Sequence, residues 1–345
     1  MRVAVVGVGR WGINHVRVLA EIMREGREGV EVDDVIVADA NLARAREVAK
    51  LYNLSGYTND LTDLVRRGVD AVVVAVPTLY HYEVTLKLLP HADVLVEKPI
   101  AVKLEEAEEM VKLAEREGRI LAVGHIMRFN PVVPALKDRL AESKSEVIYI
   151  AAQRVGPGPA GGHSLNLGVA HDLLVHDVDV ACFLLDSLPS LVYASAVWEP
   201  TYPYETEVTA LYFFKELGVT ADLRASWRVS PNFKKRVISV QLRDRVLEAD
   251  YILQTITVER GLVEHRSRGR YADLVSAYTS RIRETWSMLG AKREPLLLED
   301  VHFLRCVEKR EEPLNSGEVG FRALKCILAA LESAKTRAPV RIDWS

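Results

Sequence analysis

Taking a proton and a hydride from a carbinol calls for a lysine, histidine and aspartate that share one oxygen, and the chain offers Lys98, Asp172 and His176 for that task. Lys98 stands in Glu97-Lys98-Pro99, which closes the apolar run Val94-Leu95-Val96. An apolar run stopped by proline reads as a buried parallel strand, and its last residues emerge at the carboxyl edge of a sheet, where open α/β folds place ligands. A lysine there meets cofactor and substrate at once, or is a solvated strand end; the tripeptide alone does not separate these. In the run from Ala170 through Asp179, spacings of four and three put Asp172, His176 and Asp179 on one helix face. Leu173, Val180 and Leu184 also keep helical spacing, so a core histidine satisfied by a neighbouring acid fits the same pattern.

A cofactor for these residues is suggested upstream. Gly7-Val8-Gly9-Arg10-Trp11-Gly12 follows the strand-like Val3-Ala4-Val5-Val6 and opens a helical pattern. In that context the first glycine makes the turn, the second admits a pyrophosphate, and the third packs helix on strand. The helix amino terminus then offers free N–H groups and about half a positive charge to the phosphates. Asp39 follows the second apolar run, Val35-Ile36-Val37-Ala38, where a carboxylate accepts ribose hydroxyls and repels a 2′-phosphate. NAD is therefore favoured over NADP, with Arg44 read as a solvated helix residue rather than a phosphate partner.

The elements that must position these residues change character along the chain. Up to about residue 125, short apolar runs alternate with helical patterns over 12–24, 42–51, 61–66, 80–89 and 104–117, which predicts a doubly wound parallel sheet. After a helix over 132–141 the runs become β-rich, at 147–153, 191–198, 208–214, 219–227, 237–242 and 252–258. Thr220 to Ala225 alternates with period two, as in an antiparallel sheet with one wet face. One helix over 169–185 interrupts these strands, and two helices, near 298–310 and 319–335, close the chain. The expected fold is α/β: an amino-terminal Rossmann doubly wound parallel sheet over 1–125, then an α+β domain over 126–345 with a large open, mainly antiparallel sheet. The last helices are allowed to pack back on the first domain.

Composition excludes several functions. A net charge of −3 over 345 residues gives no field for nucleic acid, and no apolar run approaches the roughly 20 residues of a membrane span. Met1-Arg2 leads straight into a strand rather than a signal peptide, so a cytoplasmic location is expected. Cys182, Cys306 and Cys326 have no metal-ligand spacing and read as small core residues; no metal is expected. Arg154, at a strand end before the glycine-rich loop 156–162, suits a substrate diphosphate, or a rim arginine paired with an acid.

Taken together, the glycine turn, Ala75-Val76-Pro77 with His81, Glu97-Lys98-Pro99, Gly124 with Arg128-Phe129-Asn130-Pro131, and Asp172 with His176 and Asp179 resemble the Gfo/Idh/MocA sugar dehydrogenases. The resemblance implies that Lys98, Asp172 and His176 form the catalytic group. It places Gly7, Gly9, Arg10, Trp11, Gly12, Asp39, Ala75, Val76, Pro77, His81, Glu97 and Lys98 about the cofactor, and Arg128, Asn130 and Arg154 with the substrate. It also implies a homodimer or homotetramer built on the open sheet. Within the family, 9–15, 124–131 and 154–157 are similar to nucleotide-sugar dehydrogenases, which implies oxidation of a UDP-linked N-acetylhexosamine at C3 to the 3-keto sugar. A free sugar or inositol as substrate, and a catalytically silent NAD-binding regulator, are the alternatives.

Overall fold

The computed structural model describes residues 1–26, 29–143, 146–158, 167–261, 281–288 and 294–344. Packing groups Met1–Phe129 with Glu294–Lys325, and Asn130–Arg293 with Cys326–Ser345, as two compact units.

In the first unit the strands β1 (Arg2–Val6), β2 (Asp34–Ala38), β3 (Gly56–Thr58), β4 (Ala71–Val74), β5 (Asp93–Val96) and β6 (Leu121–Val123) pair in the order β3-β2-β1-β4-β5-β6. Every pairing is parallel. The helices α1 (Gly12–Glu25), α2 (Leu42–Leu51), α3 (Leu61–Arg66), α4 (His81–Leu88) and α5 (Leu104–Glu117) connect them. All four residues of β4 and of β5 are buried, which is why these strands read as unbroken apolar runs. The exception, Asp93, is satisfied: its carboxylate accepts the Ile120 N–H at 2.7 Å and the Arg310 guanidinium at 2.5 Å.

The later stretch in this unit carries α8 (Pro295–Lys309) and the start of α9 (Gly317–Thr336). Their place is fixed by backbone and by fit. Asn315 exchanges bonds with Val123, and Ser316 bridges Ala122. Gly317 and Gly320 leave no room for a Cβ, which would stand 2.8 Å from Leu121 and 2.5 Å from Val123.

The second unit holds α6 (Val132–Glu142), α7 (Val175–Leu185) and a nine-stranded sheet. Its strands are β7 (Val147–Val155), β8 (Leu191–Trp198), β9 (Glu205–Phe214), β10 (Val219–Ser226), β11 (Lys235–Leu242), β12 (Arg245–Asp250), β13 (Thr255–Gly261), β14 (Arg281–Ser287) and β15 (Val340–Arg341). The order is β14-β13-β12-β11-β7-β10-β9-β8-β15, antiparallel except for β7 beside β10. Along β9 and β10 buried residues alternate with half-buried ones, and α7 packs on the buried face of β7 and β10. Four strands, β3, β12, β14 and β15, add to those expected from the sequence, and β13 starts three residues later than predicted. Of the three cysteines, Cys306 and Cys326 are buried, whereas Cys182 is only half-buried.

Two glycines of the first turn differ sharply in what they tolerate. A Cβ on Gly12 would stand 1.9 Å from the Gly7 carbonyl oxygen, whereas one on Gly9 meets nothing within 4 Å. Gly12→Ala should therefore cost at least about 3 kcal/mol in urea unfolding, and Gly9→Ala less than about 0.5 kcal/mol. Equal midpoints for the two variants would refute this reading of the turn.

Candidate active site

The parallel ladder of the first unit runs one residue past its strands and lines up the residues that follow them. Asp39 N–H donates to Thr58 O, Gly7 to Ala38, Ala75 to Val6, Glu97 to Val74 and Gly124 to Val96, at 2.7–3.1 Å. Asp39, Gly7, Ala75, Glu97 and Gly124 thus form one row along the carboxyl edge. Strand order reverses between β1 and β4, so the row crosses the topological switch point where open α/β sheets bind ligands. Gly7 has φ +86°, and a Cβ there would strike Val76 N at 2.7 Å, so only glycine brings the two loops this close.

The dinucleotide expectation fits these residues. Gly9 and Arg10 are exposed, and Gly9 faces open space. Asp39 accepts the Val8 N–H at 2.9 Å on one oxygen and the Asn41 N–H at 2.9 Å on the other. Each oxygen keeps a lone pair for a ribose hydroxyl. Arg44 donates through Nε to the Val8 carbonyl at 3.2 Å and through Nη1 to Glu47 at 3.3 Å. His81 spans the carbonyls of Val76 and Pro99 at 3.0 and 2.9 Å, tying the Ala75-Val76-Pro77 segment to the loop after β5. Burial pushes its imidazole below the ordinary value, against the pull of those two carbonyls.

Glu97 is the centre of the most elaborate cluster. Its Oε1 accepts Trp11 Nε1 at 2.6 Å and faces His15 Nε2 at 3.1 Å, and its Oε2 accepts the Lys98 backbone N–H at 3.1 Å. A Cβ on Gly124 would lie 2.9 Å from this carboxylate, which explains the glycine there. The other ring nitrogen of His15 faces Asp300 Oδ1 at 2.9 Å. Burial alone would lower the His15 imidazole, but Asp300 and Glu97 outweigh it and hold it well above its ordinary value. Burial raises Glu97 too, but His15, Lys98 and Trp11 bring it below the usual carboxylate value. For Glu299 the balance goes the other way: burial, then the charge of Glu97, push it well up against the pull of His15 and Asn315. Asn315 donates to one of its oxygens at 3.4 Å, and the other has no partner among the described residues.

In the second unit, Asp172 lies in a π-turn, Ala170–Leu174, that leads directly into α7 with His176. Such widened turns recur at functional sites. Every residue of the helix from Val175 to Ala181 is buried, so its polar residues depend on specific partners. Trp227 Nε1 donates to Asp172 Oδ2 at 3.2 Å. Glu205 accepts the Ala170 N–H at 2.9 Å, and a Cβ on Gly168 would fall 2.0 Å from that carboxylate. Tyr202 donates to the Leu167 carbonyl at 2.6 Å.

Arg154 is not at a rim. It is buried, donates through Nε and Nη2 to Asp177 Oδ1 at 3.0 and 2.7 Å, and lies 5.0 Å over the Tyr251 ring. The strand continues through Val155, which turns Arg154 to the inner face. Arg128 donates to the Leu314 carbonyl at 2.8 Å, and Asn130 donates to Tyr251 O at 3.1 Å and accepts the Val132 N–H at 3.3 Å. The structure therefore brings these three into protein-internal bonds. Residues 159–162 of the predicted glycine-rich loop lie outside the described residues. His15, Asp300, Glu299, Glu205, Tyr202 and Trp227 were not singled out by sequence; His15 only closed the segment 9–15 that resembles nucleotide-sugar dehydrogenases.

The glycine turn at the switch point and the row of strand-end residues define a dinucleotide-binding Rossmann fold. Residues 1–125 match the family model for the NAD-binding Rossmann fold of the GFO_IDH_MocA oxidoreductases, and 160–342 match that of their C-terminal alpha/beta domain. The chain belongs to this Gfo/Idh/MocA family. It is 28% identical over 331 residues to the UDP-N-acetylglucosamine 3-dehydrogenase of Acidithiobacillus ferrooxidans, covering 95% of each chain. A solved structure of that enzyme superposes with a TM-score of 0.81 at 26% identity, over 97% of this chain and 98% of that one. The scyllo-inositol 2-dehydrogenase (NAD(+)) of Bacillus subtilis is 25% identical over 355 residues, 99% of this chain and 96% of that one. Levoglucosan dehydrogenase, solved in complex with NADH and levoglucosan, shares the fold with a TM-score of 0.85 at 17% identity, over 99% of both chains.

The buried acids of the first unit set a pH dependence. Unfolded, Glu299 ionises near its ordinary value of about 4.3, whereas the folded chain keeps the proton, so folding loses stability as pH rises above that point. His15 acts in the same sense: its raised value gives stability that is present below about 6.5 and lost as pH rises through the folded value. Glu299→Gln keeps the oxygen that Asn315 needs and removes the proton. In urea unfolding it should match the wild type near pH 4.5 and exceed it increasingly toward pH 8, by at most about 1.4 kcal/mol per pH unit. A stability difference that does not change with pH would overturn the assignment of Glu299 as a neutral acid.

Proposed function

We propose that the protein is an NAD-dependent dehydrogenase that oxidises a secondary hydroxyl of a sugar, specifically C3 of a UDP-linked N-acetylhexosamine, to the 3-keto sugar. The observation that carries this reading is the similarity to the Acidithiobacillus enzyme over 95% of both chains, with Lys98 at the carboxyl edge of the dinucleotide-binding sheet. Bound NAD supplies the hydride acceptor at its nicotinamide. His176 takes the hydroxyl proton as general base, and Lys98 hydrogen-bonds the same oxygen as negative charge develops on it. Asp172, held by Trp227, orients this pair. Alcohol and oxidised cofactor thus give ketone, reduced cofactor and one proton.

NAD is preferred over NADP because Asp39 meets the ribose end while the Arg44 guanidinium is engaged with Val8 and Glu47. Arg154, committed to Asp177, is left out of direct phosphate binding in this reading. A second reading, oxidation of an inositol by the same residues, is favoured by the Bacillus relative. The protein acts as a homo-oligomer, a dimer or tetramer, through the sheet face opposite α7. On that face Tyr193 is exposed, and Leu191, Leu211 and Phe213 are half-buried with no element packed over them among the described residues.

Absorbance at 340 nm with NAD or NADP and UDP-N-acetylglucosamine, glucose or myo-inositol separates the readings. The nucleotide sugar with NAD should turn over fastest; turnover of myo-inositol alone would replace the first reading by the second. Lys98→Met and His176→Ala should each lower turnover by about 10²- to 10⁴-fold with NAD affinity nearly intact, and wild-type rates in either variant would remove that residue from the mechanism. Light scattering should give a multiple of the 38.6 kDa chain, and Leu211→Glu should shift it toward the single chain. A monomeric wild type would exclude the oligomer.

A further inference from the structure

We infer that His15 and Asp300 are positioning residues for dinucleotide binding, acting through Glu97 on Trp11 of the glycine turn. His15 has no exposed surface, and both of its ring nitrogens face carboxylate oxygens, Glu97 at 3.1 Å and Asp300 at 2.9 Å. A neutral imidazole has one N–H, so the imidazolium is the form that donates to two carboxylates at once. The oxygen of Glu97 that meets His15 is the same Oε1 that accepts Trp11 Nε1 at 2.6 Å.

Trp11 is 44% exposed, and the Glu97 bond engages the only polar atom of its side chain. It stands between Gly9, which faces open space, and Gly12, which is locked against Gly7. The indole is therefore held at the edge of the phosphate-binding turn by a bond to a buried carboxylate. That carboxylate is a liability, because a negative charge beside the turn opposes the cofactor's phosphates. The imidazolium cancels it, and Asp300 keeps the imidazole protonated although it is fully buried. The two residues thus orient Glu97 and neutralise it, while neither touches the cofactor.

This inference depends on dinucleotide binding and not on the sugar. A purely structural ion cluster would alter folding but would not be coupled to Trp11. The test is the Kd for NADH, or NADPH if it binds tighter, by fluorescence titration. It uses the wild type, Asp300→Asn, Trp11→Phe and the double variant, with melting temperatures recorded alongside. Asp300→Asn should raise Kd about tenfold in the wild-type background and about threefold in the Trp11→Phe background, where only the uncompensated Glu97 charge still acts. Asp300→Glu, which restores the charge, should stay within about threefold of wild type. If Asp300→Asn does not fold, His15→Gln replaces it in the same cycle, since its amide can donate to Glu97 but brings no charge. An equal rise in both backgrounds, or no rise at all, overturns the inference.

Discussion

The first unit is organised around a buried carboxylate that cannot be left alone. Glu97 closes β5 inside the protein, where an unpaired ion costs several kcal/mol. Hydrogen bonds to a charged group return about 1.5–3 kcal/mol each. Its three donors come from the glycine turn, from α1 and from its own backbone link to Lys98. Satisfying one charge therefore fixes three segments that ligand binding needs in register. The requirement spreads outward: Gly124 must be bare to make room, and His15 needs a second carboxylate, which α8 supplies from nearly three hundred residues away as Asp300.

The second unit meets a related constraint with a helix. Because α7 is enclosed from Val175 to Ala181, it cannot leave polar side chains or its first N–H groups to water. Glu205 takes the Ala170 N–H, Trp227 takes Asp172, and Arg154 takes Asp177. Breaking the last pair would strand a buried charge, a loss of about 3–5 kcal/mol. That makes Arg154 a support of the helix first. Burial lowers the facing Arg236 guanidinium to about 10, with the Arg154 charge adding to the effect, so it still carries its charge at neutral pH.

Much of this was legible in the chain. The parallel strands announce themselves as unbroken apolar runs because both faces are covered, and the glycine turn, Asp39, Ala75 and Glu97 fall on one row because each follows a strand of the same sheet. What could not be read was of two kinds. Strand β12, Arg245–Asp250, exposes Glu248 between buried Leu247 and Ala249, too short a pattern to stand out from a turn. The partners of His15, Glu97 and Asp172 are distant in sequence, and no local periodicity encodes a contact between residues 15 and 300. Arg154 was misplaced for a smaller reason: β7 runs two residues further than its apolar pattern, turning a supposed strand-end cation inward.

In both units the residue assigned to chemistry is the immediate neighbour of a buried carboxylate: Lys98 follows Glu97, and His176 precedes Asp177. Successive residues on a helix or at a strand end point in different directions, so one can be bound into the interior while the next is left facing another way. The anchor then sets the backbone position of its neighbour. At Glu97 an acid suits this role because a buried carboxylate accepts several donors at once, tying Lys98 to the glycine turn and to α1.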